Sequence, residues 1–105
     1  MSRGVRSATD RDFADLVLGA ATPVLVCFHR GAPAADELDV LARDLPWLTC
    51  VRIDMDRWPR TAASYRVTEA PTLVLFQRGA PVLTLAAGQQ PTLVRRTVEA
   101  LAPRP

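Results

Sequence analysis

Cys27 and Cys50 are the only thiols in this 105-residue chain, His29 is its only imidazole, and Arg52 stands two positions after the second cysteine. These side chains are the ones with redox, nucleophilic or ligand chemistry to offer. A cysteine attacks as the thiolate, so it needs either a neighbour that lowers its pKa or a second cysteine with which to exchange a disulfide. The spacing supplies neither. Cys27 and His29 are i and i+2 in "VLVCFH", which on a strand holds them ~6 to 7 Å apart, too far for an activating Cys–His contact. Cys27 reads as a small apolar filler and His29 as a histidine at the strand exit. Cys27 and Cys50 lie in separate apolar runs at a spacing that suits neither a disulfide framework nor zinc, so no metal and no cofactor is expected.

The elements that must position these residues are readable from periodicity. "TDRD", Thr9 to Asp12, has the form of a capping box, and Phe13, Leu16, Val17 and Ala20 follow at helical spacing, predicting a helix that Pro23 stops. "VLVCF", Val24 to Phe28, is a continuous apolar run of the kind that fits a central strand covered on both faces. The Gly- and Pro-rich "HRGAPAA" is then a turn. Leu38, Leu41, Ala42 and Leu45 predict a second helix over 35–45, and "TCVRIDM" predicts a strand from Thr49 to Met55. Pro59 suits the first position of a short helix, because it lacks the N–H that such a position leaves unpaired. "TLVLF" and "PVLTLA" form a hairpin around a four-residue connection, Gln77 to Ala80. A last helix opens at Pro91 with a stripe of Leu93, Val94, Val98 and Leu101. The sum is a single α/β domain with a mixed sheet.

Composition narrows the partners. All thirteen basic residues are arginine, the formal net charge is +2, and 49% of residues are hydrophobic. Acidic and basic residues are interleaved, so no long block of one sign marks a nucleic-acid or membrane surface. The first sixteen residues carry Arg3, Arg6, Asp10, Arg11, Asp12 and Asp15, which leaves no early apolar core for a secretory signal. "LVLGAATPVLVCF" falls well short of the ~20 apolar residues of a membrane span. The expectation is a cytoplasmic protein that binds neither nucleic acid nor membrane.

By their order and content these segments resemble the thioredoxin family. "PVLVCF" resembles the family's "PVLVDFW" strand, "LTCVRIDMDRWPRTAASYRVTEAPTLVLFQRG" its segment from the third strand to the hairpin, and "AAGQQPTLVRRTVEAL" its final glycine and helix. "APTLVLF", Ala70 to Phe76, matches the cis-proline signature. The resemblance implies the thioredoxin-like fold and a cis bond between Ala70 and Pro71.

The chain departs from the family where the family does its chemistry. In place of C-x-x-C it reads "GAPAA", so the two cysteine positions fall on Ala32 and Ala35 or on Gly31 and Ala34, with Pro33 between them. Thiol–disulfide exchange has no substitute for a missing sulfur, so no catalytic residue is assigned at this site. Cys27 replaces the family's buried aspartate, and Arg52 stands where a lysine often pairs with it; without the acid, Arg52 is expected to run its stem toward the surface. If Cys27 lies opposite Arg52, Cys50 is too far along the neighbouring strand for a disulfide.

What the resemblance leaves is a peptide groove, rimmed by Met55, Ala70, Pro71, Ala87 and Gly88, with Trp58 between two arginines as an exposed anchor for a partner. The expected function is a redox-inactive protein that binds another polypeptide, as an accessory, chaperone-like or assembly factor. The rival is a divergent thiol–disulfide oxidoreductase working through Cys27 or Cys50. A homodimer joined through the "HRGAPAA" loop is the third reading.

Overall fold

The apolar run from Val24 can be covered on both faces, and there the chain places the middle of its sheet. In the computed structural model, which describes residues 4–31, 36–86 and 91–102, five strands pair: β1 (Arg6–Ala8), β2 (Val24–His29), β3 (Thr49–Asp54), β4 (Thr72–Gln77) and β5 (Ala80–Leu85). Their spatial order is β1-β3-β2-β4-β5. β1, β3 and β2 run parallel, while β4 is antiparallel to β2 and β5 antiparallel to β4. Val24, Leu25, Val26 and Phe28 are each 0% exposed, as a central strand requires. The helices are α1 (Asp36–Asp44), α2 (Pro59–Ser64) and α3 (Pro91–Leu101), preceded by a π-helical turn over Ala14–Leu18.

Strand alternation divides the core in two. One face carries Val26, Phe28, Val51, Ile53, Val74 and Phe76, packed with Phe13, Val17, Ala62 and Val67. Its centre is aromatic: Phe13 and Phe76 meet edge-on at 5.6 Å between ring centroids, and Tyr65 and Phe76 at 5.0 Å. The other face carries Leu25, Cys50 and Leu75 beneath the apolar stripes of α1 and α3, with Cys27 and Trp47 packed against it. Trp47 also donates from Nε1 to the Ala102 carbonyl at 3.1 Å, which ties the α1–β3 corner to the end of α3.

Several expectations are corrected. The capping box forms, with the Asp12 N–H on Thr9 Oγ1 at 3.2 Å and the Thr9 N–H on Asp12 Oδ1 at 2.6 Å. The helix it opens widens into a π turn closed by the Gly19 N–H on the Ala14 carbonyl, so it stops at Gly19, short of Pro23. The hairpin connection is two residues, because Gln77 and Ala80 are themselves paired. Arg78 and Gly79 have φ of 53° and 80°, the left-handed pair that matches the twist of the flanking strands. A Cβ on Gly79 would lie 3.1 Å from the Leu18 carbonyl oxygen, so glycine serves both the turn and the close approach. On α3 the buried stripe is Val94 and Val98, continued by Ala102, whereas Leu93 and Leu101 are 48% and 43% exposed. A helix lying on a sheet buries one narrow face, and these two leucines fall to its flank.

β1 was not foreseen. It is an edge strand of three residues in which only Ala8 is buried. At the opposite edge, β5 contains Pro81 and slips register between Leu75 and Phe76, so that Val82 has no partner on β4.

Candidate functional site

Two of the segments proposed for the groove, the one after β3 and the one before β4, meet the end of β2 at one end of the sheet. β2 ends with His29 beside Asp54 of β3, and Phe28 lies opposite Thr72 at the start of β4. The next residues along each segment are Arg30, Met55 and Pro71. The turn after β3 is held by hydrogen bonds: the Met55 N–H on the His29 carbonyl at 2.8 Å, the Asp56 N–H on Asp54 Oδ1 at 2.9 Å, and the Trp58 N–H on the Asp54 carbonyl at 2.8 Å. Arg30 forms an ion pair with Asp56 across the top of this turn. Beside it Thr72 donates from Oγ1 to the Glu69 carbonyl at 2.6 Å, and the Ala70–Pro71 peptide bond is cis.

Against this turn lies an open depression of about 430 Å³, lined by Met55, Pro59, Ala62, Ala63, Val67 and Thr68 and flanked by Arg30 and Asp56. Met55, only 5% exposed, belongs to the core as well as to the depression. Trp58, Ala70 and Pro71 do not line it. Pro71 is exposed, while Ala70 packs partly on the aromatic-side core. Trp58 corrects the expectation of an exposed anchor: it is half-buried on that same core, with the Arg57 guanidinium 5.6 Å above its ring centroid. Gly31 has a φ of 64° and its carbonyl faces His29 Nδ1 at 3.0 Å. Ala32, Pro33, Ala34, Ala35, Ala87 and Gly88 lie outside the described residues.

The depression's wall depends on α2, and the start of α2 has an unusual cap. Trp58 occupies the capping position, where it offers no side-chain acceptor, and Pro59 follows at the first helical position. The acceptor comes from fifty residues upstream. Asp10 takes the Thr61 N–H at 2.9 Å and the Thr61 hydroxyl at 2.7 Å on Oδ1, and the Arg60 N–H at 3.2 Å on Oδ2. Desolvation alone would raise the Asp10 pKa. The hydrogen bonds from Thr61 and Arg60, with the Arg60 charge, outweigh it and hold the carboxyl below its ordinary value. The helix closes with the Arg66 N–H on the Ala63 carbonyl and the Val67 N–H on the Ala62 carbonyl, with Arg66 at a φ of 57° in the place where glycine is usual.

The thiols sit elsewhere. Cys27 is opposite Arg52 on the strand pair, as expected, and Cys50 lies diagonally from it. By strand geometry that diagonal is about 8 Å, beyond the ~7 Å Cα limit of a disulfide, and neither cysteine is disulfide-bonded. Cys27 is half-buried; Cys50 is 3% exposed, and burial, aided by the negative charge of Asp39, pushes its pKa up to about 12. Arg52 does not run free to the surface. Its Nη2 donates to Asp39 of α1 at 3.3 Å, and the side chain is 18% exposed with a buried, unpartnered Nε. An acid on the overlying helix has taken a role that sequence comparison assigned to the strand, and nothing in the spacing of Asp39 and Arg52 announces it. Asp10 was missed for the same reason. Among the described residues no group of three or more His, Cys, Asp or Glu side chains could hold a metal ion, and no helix is long and apolar enough to cross a membrane.

A mixed five-stranded sheet with helices on both faces and a cis X-Pro bond at the sheet end defines a thioredoxin-like α/β domain. The chain is 32% identical over 104 residues to a thioredoxin of Mycolicibacterium smegmatis, a match that spans 90% of this chain and 93% of the relative. It is 33% identical to a thioredoxin-like protein of Synechocystis, over 75% of this chain and 81% of that one. A mutant thioredoxin from Halobacterium salinarum superposes with a TM-score of 0.80 at 21% identity, covering 99% of this chain and 96% of the other. No family model matches the chain. On these relatives the chain belongs to the thioredoxin family.

Proposed function

We propose that this protein binds another polypeptide without exchanging electrons with it, as an accessory, chaperone-like or assembly factor of the cytoplasm. The supporting observation is the location of its sulfur. Thiol–disulfide exchange needs an accessible thiolate, which this family's enzymes place at a helix start. The stretch after β2 contains no cysteine. Cys50 is buried under α1, which pushes its pKa up to about 12 and keeps it a thiol at neutral pH. The sheet end keeps features an extended chain could use: a depression floored by Met55, Ala62 and Val67, and the backbone of Ala70 beside it.

The rival has its own support, since the relatives are named thioredoxins and Cys27 is only half-buried opposite a guanidinium. Reduction of insulin disulfides in the presence of dithiothreitol separates the two. The wild type is expected to match the protein-free blank. Turnover above the blank that disappears in Cys27→Ser or Cys50→Ser would transfer the function to thiol chemistry.

A further inference from the structure

The depression beside Met55 is mostly apolar, with the Arg30–Asp56 ion pair at its mouth, and the chain that walls it is rich in arginine. Along the chain from Arg57 to Thr68 there are three arginines, Arg57, Arg60 and Arg66, and no carboxylate. All three are exposed, and none takes part in an ion pair among the described residues. One exposed acid without an ion pair among the described residues, Glu69, follows Thr68, and it leaves the three arginines in excess. Asp56 is held by Arg30 at the mouth of the depression, and Asp10 gives both oxygens to the N-terminal N–H groups of α2 and to the Thr61 hydroxyl. These arginines bracket Pro59, Ala62 and Ala63, the α2 residues that wall the depression. Arg57 is further fixed over the Trp58 ring, which positions its charge before any partner arrives.

We propose that this surface takes an acidic polypeptide segment, with one apolar side chain seated against Met55, Ala62 and Val67 and flanking carboxylates on Arg57, Arg60 and Arg66. The proposal rests on the polypeptide-binding reading and adds the chemical class of the partner. Guanidinium groups favour carboxylates through paired N–H donors, and exposed charges of one sign select partners chiefly by repelling the wrong ones.

The test is fluorescence anisotropy of two labelled peptides with the same central leucine, one flanked by Glu and Asp and the other by Lys, titrated with the full chain at low and high salt. Three exposed charges predict about a tenfold preference for the acidic peptide at low salt, shrinking at high salt. Arg57→Gln, Arg60→Gln and Arg66→Gln combined should remove the preference while leaving the circular dichroism spectrum unchanged. If the triple variant does not fold, Arg57→Gln alone should lower the preference about twofold. Equal binding of both peptides, or a preference that survives these substitutions, overturns the acidic-partner proposal and leaves polypeptide binding standing. Binding of neither peptide counts against polypeptide binding itself, and the proposal falls with it. A single-stranded oligonucleotide that displaces the acidic peptide with higher affinity also overturns it.

Discussion

The face of the sheet under α2 and the face under α1 and α3 both bury an apolar cluster, yet they treat polar groups in opposite ways. On the α2 side, buried Thr61 and Thr72 are hydrogen-bonded, and Asp10 caps the helix from a distance. Under α1, Arg52 keeps a buried Nε with no partner and reaches a half-exposed Asp39 through a single long contact. Among the described residues the first face leaves no buried side-chain polar atom without a partner. The second carries a cation whose strand neighbour is a thiol. The difference teaches that the side walling the depression satisfies its buried polar groups, while the side holding the thiols leaves a cation incompletely paired.

The contrast can be broken most severely at the aromatic centre. Phe76→Ala removes a ring that touches both Phe13 and Tyr65, and a buried Phe→Ala change costs about 3 to 5 kcal/mol. Urea denaturation should show a loss of that size, and a loss below 1 kcal/mol would mean that this face is far softer than its packing. Asp10→Ala comes next, at about 1 kcal/mol, the usual worth of a helix cap. Its effect carries a pH signature. The Asp10 pKa is lowered in the folded state, so its contribution is present above the ordinary carboxylate range, about pH 4, and is lost as pH falls through the folded-state value. Wild type and variant should therefore converge in acid; a constant gap down to pH 2 would sink the assignment. Smallest is Arg52→Met. An incompletely paired buried cation can be replaced by an apolar side chain of similar length at little cost, so the change should stay within about 1 kcal/mol. A loss of several kcal/mol would show that the Arg52–Asp39 pair anchors α1 after all.

Much of the architecture could be read from residue patterns, and the exceptions have physical reasons. The run at Val24–Phe28 is apolar throughout because both faces of that strand are covered, and Thr49–Met55 still shows as a strand through its buried Cys50, Val51, Ile53 and Met55. Pro59 placed α2 and the apolar "TLVLF" run placed β4 by local pattern, while the cis bond between Ala70 and Pro71 came only from the family resemblance. β1 escaped notice because one buried alanine in three residues makes no pattern. Leu93 and Leu101 misled because helical spacing gives a face but not its width. At the site, Met55 was placed by the family resemblance, since its spacing only marks the end of a strand. The Asp10 cap and the Arg52–Asp39 pair join distant segments, and only the folded chain makes them neighbours.

The unpartnered Val82 and the proline before it have a consequence for assembly. A second molecule sliding alongside β5 would meet a missing N–H donor and a step in the ladder, which spoils the continuous docking that joins sheets edge to edge. That flank is therefore a poor template for ribbon-like growth.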